Sequence, residues 1–351
     1  MQLGIIEGFY GKPWTWAERE ETIAFLASHG YGFYLYAPKA DPHLRRRWQE
    51  AHAADTALSL TRLAAHCAAH GVRFGIGLSP YEIWLDFGRA AQEALARKLG
   101  FFDELGARDV ALLFDDMRGM PELAERQVEV VEWAAERSAA GRIIVCPTYY
   151  SDDPVLDRVF GARPERYLER LGELLRPEFE IFWTGPEVCA RELSLGHLRR
   201  VTQQLGRRPF LWDNYPVNDG QRMSQYLHLR GFTGRPAALA EHLAGHAINP
   251  ALQPTLTRIP ALTLVDSYRQ NERYEYLAAT HRAAAAVLGA ELGTRLSEDV
   301  LTLQDIGLDH LGDRAATLRE RYAGADHPGA REIIAWLDGA YRITDEIVQT
   351  Q

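Results

Sequence analysis

The sequence predicts an α/β fold: a (β/α)8 TIM-type barrel with a C-terminal α-helical appendage. Three observations predict it. Short β-rich apolar runs alternate with longer amphipathic stretches, the pattern of βα units and a parallel sheet. Eight such runs fall before residue 250, the number that closes a barrel. No G-x-G-x-x-G follows the first run, so a doubly wound open sheet, the structural alternative, lacks its usual support.

Leu3 to Glu7 is the first run, and Trp16 to Ser28 after it carries apolar residues at three- and four-residue spacing, a helical period. The second run is Tyr31 to Ala37. Helical spacing resumes over Leu58 to His70, Gly71 supplies a helix stop, and Val72 to Ser79 is the third run. Ala90 to Leu105 is the next helix, stopped at Gly106 before Val110 to Phe114. Leu123 to Ala139 repeats the pattern, with Gly141 ahead of Ile143 to Pro147. Glu180 to Thr184 precedes a helix over Leu195 to Leu205, and Pro209 to Trp212 and Gly245 to Ile248 complete the set. From about Thr255 the composition shifts to Ala, Leu, Glu and Arg, with helical periodicity over Tyr274 to Leu292, Asp309 to Tyr322 and Gly329 to Ile347. The expected division is a catalytic barrel over residues 1–254 and a helical region over residues 255–351, packing on the barrel or forming a homodimer.

At 351 residues the chain exceeds the usual domain of about 100 to 200 residues and matches one barrel of roughly 250 plus an appendage. Hydrophobic residues make up 46% and charged residues 25%, enough apolar side chains for a large core and too many for general disorder. Lysine and arginine number 39 against 48 acidic residues, a net charge of −9, with the basic residues dispersed; this argues against a nucleic-acid partner. No apolar run approaches the roughly 20 residues of a membrane span, and no basic segment leads an apolar one at Met1-Gln2-Leu3-Gly4. The expectation is therefore a cytoplasmic protein without membrane contact. Cys67, Cys146 and Cys189 are odd in number, widely separated, and in contexts that read as helix, strand and helix. They predict reduced core thiols, not a zinc site or a disulfide framework.

A barrel gathers its working residues at the C-terminal ends of its strands. Collected this way, the chain gives Glu7, Lys39, Ser79, Asp115, Asp116, Tyr149, Tyr150, Trp183, Asp213, Asn214 and Asn249, without a histidine. Carboxylates and amides suit the hydroxyls of a sugar, and aromatics suit its apolar faces. A phosphate would call for arginine and Gly-rich backbone instead. Asp115, Asp116 and Asp213 make a divalent cation conceivable. The 12 histidines show no H-E-x-x-H spacing and none sits at a strand exit, so no metal and no cofactor is expected.

Asp115 and Asp116 end a run too apolar to be anything but a buried strand. Neighbours on a strand point to opposite faces, so both can serve one site only if the chain leaves the strand at this pair. Side by side, two carboxylates resist simultaneous ionisation, which leaves one with a proton as a general acid. The competing reading is a helix cap at the βα junction. Asp152 and Asp153, running into Pro154, read as a solvated turn.

Seven segments carry a family resemblance: IIEGFYGKPW at residues 5–14, YLYAPK at 34–39, ALLFDD at 111–116, CPTYY at 146–150, FWTGPEV at 182–188, LWDNYPVND at 211–219 and INP at 248–250. In these the chain resembles the N-acetylglucosaminidases of glycoside hydrolase family 84, which include enzymes that remove O-linked N-acetylglucosamine from proteins. The resemblance covers roughly residues 1 to 250, in the family's order. It implies a retaining, exo-acting β-N-acetylglucosaminidase that works by substrate-assisted catalysis through an oxazoline. It implies that Asp116 is general acid and then base, and that Asp115 orients and stabilises the acetamido nitrogen. It further implies that Tyr150 and Asn214 contact the acetamido group and reaction centre, that Trp212 walls the pocket, and that Gly8, Lys39, Asp219 and Asn249 hold the sugar hydroxyls. The implied partner is a glycan or glycoprotein bearing N-acetylglucosamine; the alternative is a non-catalytic protein that binds the same sugar on the same barrel. The sequence departs from the family in three places. Ala40 and then Asp41 follow Lys39 where an acidic residue is usual, Tyr81-Glu82 follow Ser79-Pro80 where glycine is usual, and the segment after Pro250 is atypical.

Overall fold

The computed structural model describes residues 1–344. Eight parallel strands close on themselves in chain order, the last pairing back with the first. They are β1 (Leu3–Glu7), β2 (Tyr31–Tyr36), β3 (Arg73–Leu78), β4 (Asp109–Leu113), β5 (Arg142–Cys146), β6 (Glu180–Trp183), β7 (Phe210–Asp213) and β8 (Gly245–Ile248). Each expected apolar run is one of these strands. Side chains fill the barrel inside and helices cover it outside, so the strands are buried on both faces and read as continuous rather than alternating apolar runs.

The ring contains α1 (Trp16–Ala27), α2 (Ala54–Ala69), α3 (Arg89–Glu104) and α4 (Leu123–Ala135). A reciprocal cap starts α1: the Glu18 N–H donates to Thr15 Oγ1 at 3.3 Å and the Thr15 N–H donates to Glu18 Oε2 at 2.6 Å. Between β5 and β6 lie α5 (Pro154–Phe160) and α6 (Tyr167–Leu174), neither of which the sequence reading anticipated. The solvated turn expected at Asp152-Asp153 is a helix start instead. Asp153 Oδ1 accepts from the Val155 N–H at 3.0 Å, and Pro154 supplies the first helical residue. α7 (Leu195–Leu205) has the expected bounds. Cys189, expected on a helix, lies in a turn between β6 and α7. Between β7 and β8 the chain forms a long loop with only short 3-10 turns.

The eighth helix, α8 (Pro254–Gln270), packs against α1, so the expected division at residue 254/255 falls at its head. The helix expected over Tyr274 to Leu292 is two, α9 (Tyr276–Leu288) and α10 (Ala290–Leu301). Gly289 separates them at φ 82°, a conformation that no helix accommodates. α11 (Arg314–Ala323) and α12 (Pro328–Leu337) follow. The helix expected over Gly329 to Ile347 therefore ends early, and its positions 345–347 lie outside the described residues. α12 returns to α8: Glu332 accepts from the Thr255 N–H at 2.8 Å and the Leu256 N–H at 2.9 Å. These are orphan donors at a helix start, and burial pushes the Glu332 carboxyl up to about 7 in spite of them. Ile333 and Trp336 of α12 share one continuous apolar core with the strands. Among the described residues, no helix is long and apolar enough to cross a membrane.

Candidate active site

One pocket opens at the C-terminal ends of the strands. Gly8, Lys39, Asp115, Asp116, Tyr150, Trp212, Asn214, Asp219 and Asn249 all line it, joined by Tyr10, Cys146, Thr184 and Val188. The nine residues singled out in the sequence thus meet, although they come from the exits of six strands.

Other strand-exit residues turn elsewhere. On β7, Trp212 and Asn214 face the pocket while Asp213 between them faces outward, as the two-residue period requires. There Asp213 accepts from Arg235 Nη2 at 2.7 Å and from His246 Nε2 at 3.0 Å. Burial alone would raise its carboxyl, but Arg235 and His246 outweigh burial and hold it at about 2. The three aspartates that could have shared a cation do not converge, and no group of three His, Cys, Asp or Glu among the described residues is placed to hold one. Glu7 is buried against Arg19, whose Nη2 donates to its Oε1 at 2.6 Å. Tyr149 donates to the Gly161 carbonyl at 2.6 Å, and Trp183 Nε1 donates to His197 Nε2 at 2.9 Å.

At Asp115 the chain has already left β4, and Asp116 adopts φ 56°, in the left-handed region. That conformation costs a non-glycine residue about 1–2 kcal/mol, and aspartate is among the residues that tolerate it. It breaks the alternation of the strand and lets both carboxyl groups enter one pocket. The helix-cap reading does not hold, because α4 starts at Leu123 with Glu122 at its cap position.

The two carboxyl groups have unlike neighbours. Lys39 Nζ pairs with Asp115 Oδ2, while Asp115 Oδ1 is buried with no hydrogen-bond partner among the described residues. Asp116 accepts from Tyr10 Oη at 2.8 Å and from Tyr150 Oη at 3.0 Å. Burial, reinforced by the charge of Asp116, raises both phenols well above the ordinary tyrosine value, so both remain donors. Asp41 does not support Lys39. It accepts from the His43 N–H at 2.9 Å and binds His52 Nε2 at 3.1 Å.

The wall is equally specific. A Cβ at Gly8 would collide with the Trp212 indole, so only glycine lets the chain pass there. The Gly8 N–H donates to Asn249 Oδ1 at 3.3 Å, Asn249 Nδ2 donates to Asn214 Oδ1 at 3.0 Å, and Asn214 Nδ2 donates to the Val188 carbonyl at 2.8 Å. The Tyr10 N–H donates to Asp219 Oδ2 at 2.7 Å. Tyr10 was missed in the sequence, although it stands inside the first motif and no farther beyond β1 than Lys39 stands beyond β2. Val188 and Asn214 also line a second cavity of about 1210 Å³, which runs from the pocket past Tyr215, Tyr226 and His228 to Tyr276, Gln304 and Asp305 of the helical region.

Comparison with known proteins bears on the family and the fold. Protein O-GlcNAcase of mouse and that of rat are each 29% identical to the chain over 282 residues, 76% of this chain and 30% of the relative. The chain matches less than a third of the length of those relatives. A solved structure of an O-GlcNAc hydrolase mutant from Thermobaculum terrenum superposes with a TM-score of 0.79 at 28% identity, covering 96% of this chain and 80% of that one. A family model described as beta-N-acetylglucosaminidase matches residues 3–304, and the chain belongs to that family, glycoside hydrolase family 84.

Proposed function

We propose that the chain is a retaining, exo-acting β-N-acetylglucosaminidase that removes terminal N-acetylglucosamine by substrate-assisted catalysis. The observation that carries the reading is the asymmetry of the carboxyl pair: a cation on Asp115, two neutral hydroxyls on Asp116, and one buried acceptor, Asp115 Oδ1, left open among the described residues. In the first step the substrate's acetamido oxygen attacks the anomeric carbon. Asp115 Oδ1 accepts from the acetamido N–H and stabilises the positive charge that develops there, while Asp116 gives its proton to the departing glycosidic oxygen. The product is an oxazoline whose ring nitrogen keeps its proton against the Asp115 carboxylate, and the aglycone leaves. In the second step Asp116, now a carboxylate, takes a proton from water as that water attacks the anomeric carbon and reopens the ring. Two inversions retain configuration. Tyr150 and Asn214 contact the acetamido group, Trp212 walls it, and Gly8, Lys39, Asp219 and Asn249 hold hydroxyls. No step calls for a metal or another cofactor.

The adjoining cavity exceeds the volume of most small-molecule sites, which supports a large aglycone such as a glycoprotein or an extended glycan. The test compares an aryl N-acetylglucosaminide with the matching aryl glucoside. Turnover of the first alone is expected; comparable turnover of both would remove substrate assistance, since the glucoside has no acetamido group. A non-catalytic sugar-binding protein would instead give persistent calorimetric binding of the N-acetylglucosaminide without product.

A further inference from the structure

Arg45 is the one of three consecutive arginines that the fold takes inside: it is 8% exposed, while Arg46 and Arg47 are exposed. Its loop is fixed at both ends, with the Arg45 N–H donating to the Pro42 carbonyl at 3.1 Å and the Ser79 N–H donating to the Leu44 carbonyl at 2.7 Å. The guanidinium lies against the Tyr81 ring, 5.5 Å from its centroid. From there Nη2 donates to the backbone carbonyl of Asp116 at 3.3 Å. Nη1 is buried without a hydrogen-bond partner among the described residues.

A buried cation is costly, and this one is directed at the peptide that follows a residue at φ 56°. The direction of the Asp116 carbonyl and the direction of its carboxyl are coupled through one left-handed residue. If that residue relaxed to right-handed or extended backbone, the carboxyl would leave Tyr10 and Tyr150.

We infer that Arg45 is a positioning residue for Asp116. It clamps the Asp116 carbonyl, holds the left-handed turn, and so aims the carboxyl at the departing oxygen. The inference rests on the acid and base role proposed for Asp116. Its requirement is geometric and should be felt where proton donation limits the rate, and hardly at all where the leaving group needs no proton.

The experiment takes Arg45→Met, Arg45→Lys, Asp116→Asn and the double variants in the full chain through a series of aryl N-acetylglucosaminides from good to poor leaving groups. Arg45→Met should lower kcat/KM about 10²-fold on the poorest leaving group and less than about threefold on the best, with KM nearly unchanged. Arg45→Lys, which can still donate to the carbonyl, should recover most of the loss. In the Asp116→Asn background neither change should cost anything further. An equal loss on every leaving group, or losses that multiply in that background, would overturn the inference. If Arg45→Met does not fold, the same two criteria apply to the smaller loss in Arg45→Lys. Asp116→Asn alone separates the two claims: a loss indifferent to the leaving group would remove Asp116 as the acid, whatever Arg45 does.

Discussion

The exits of β4 and β5 carry the same pair of residues, Asp115-Asp116 and Asp152-Asp153, and use them in opposite ways. Asp153 Oδ1 binds the Val155 N–H and its Oδ2 accepts from the Val188 N–H at 3.2 Å. Asp152 pairs with Arg200 and, at 3.4 Å, with Arg163. All of these partners are backbone donors or arginines that fix the connection to α5 and α7. In the β4 pair, one oxygen of Asp115 stays buried and open among the described residues, and Asp116 is met by two phenols and a strained turn. The β5 carboxylates are taken up by groups that fix the chain, whereas Asp115 keeps an acceptor in reserve and the Asp116 carboxyl is met by hydroxyls that can exchange for a ligand's.

Substitutions can break this contrast, starting with the largest effect. Asp116→Asn should lower kcat/KM on a poor leaving group by about 10³-fold with little change in thermal midpoint, as read by steady-state kinetics beside calorimetry. A comparable loss of stability would class Asp116 with the β5 pair. Asp115→Asn should cost about 10²-fold in kcat and also destabilise the fold, because Lys39 is left buried without its counter-charge. Asp213 sharpens the contrast within the β7 exit. Its carboxyl is held at about 2, below its value of about 4 in the unfolded chain. Its contribution, on the order of 2 kcal/mol, is thus present above about pH 4 and lost as pH falls through about 2. Denaturant titrations of Asp213→Asn should show a lower starting stability and a shallower acid decline; an unchanged acid slope would mean that the Arg235 and His246 partnership does not hold this carboxyl down. Asp153→Ala should cost about 1 kcal/mol through its lost cap, and Asp152→Ala less than that, with kcat per folded molecule unchanged in both. A kinetic defect in either would move the β5 pair toward the site.

The barrel was legible because burial on both faces makes each strand a continuous apolar run, and because the left-handed glycines Gly71 and Gly106 stop the helices before β3 and β4, whereas α4 ends at Ala135, short of the stop expected at Gly141. The short helices α5 and α6 were not, since the Asp153-Pro154 cap signal has the same composition as a loop. Nor was α8 distinguished within the helical region, although its residues complete the ring. Nine pocket residues could be named because strand exits and the seven motifs coincide. Tyr10 and Arg45 could not, for different reasons. Tyr10 sits in an aromatic pair with Phe9 that reads as core, and only the structure turns its hydroxyl to Asp116. Arg45 sits in a run of like charges that reads as a solvated face, and only the turn of its loop takes one of the three inside.

The clasp of Glu332 on the first turn of α8 has a consequence for synthesis on the ribosome. The residues that finish the barrel emerge well before their cap, because Thr255 and Leu256 precede Glu332 by more than seventy positions. A nascent chain that has all eight strands outside the tunnel still presents those amides to water. The last βα unit gains these hydrogen bonds only when α12 has been made and comes back to it, so translation order places this seal after all eight strands.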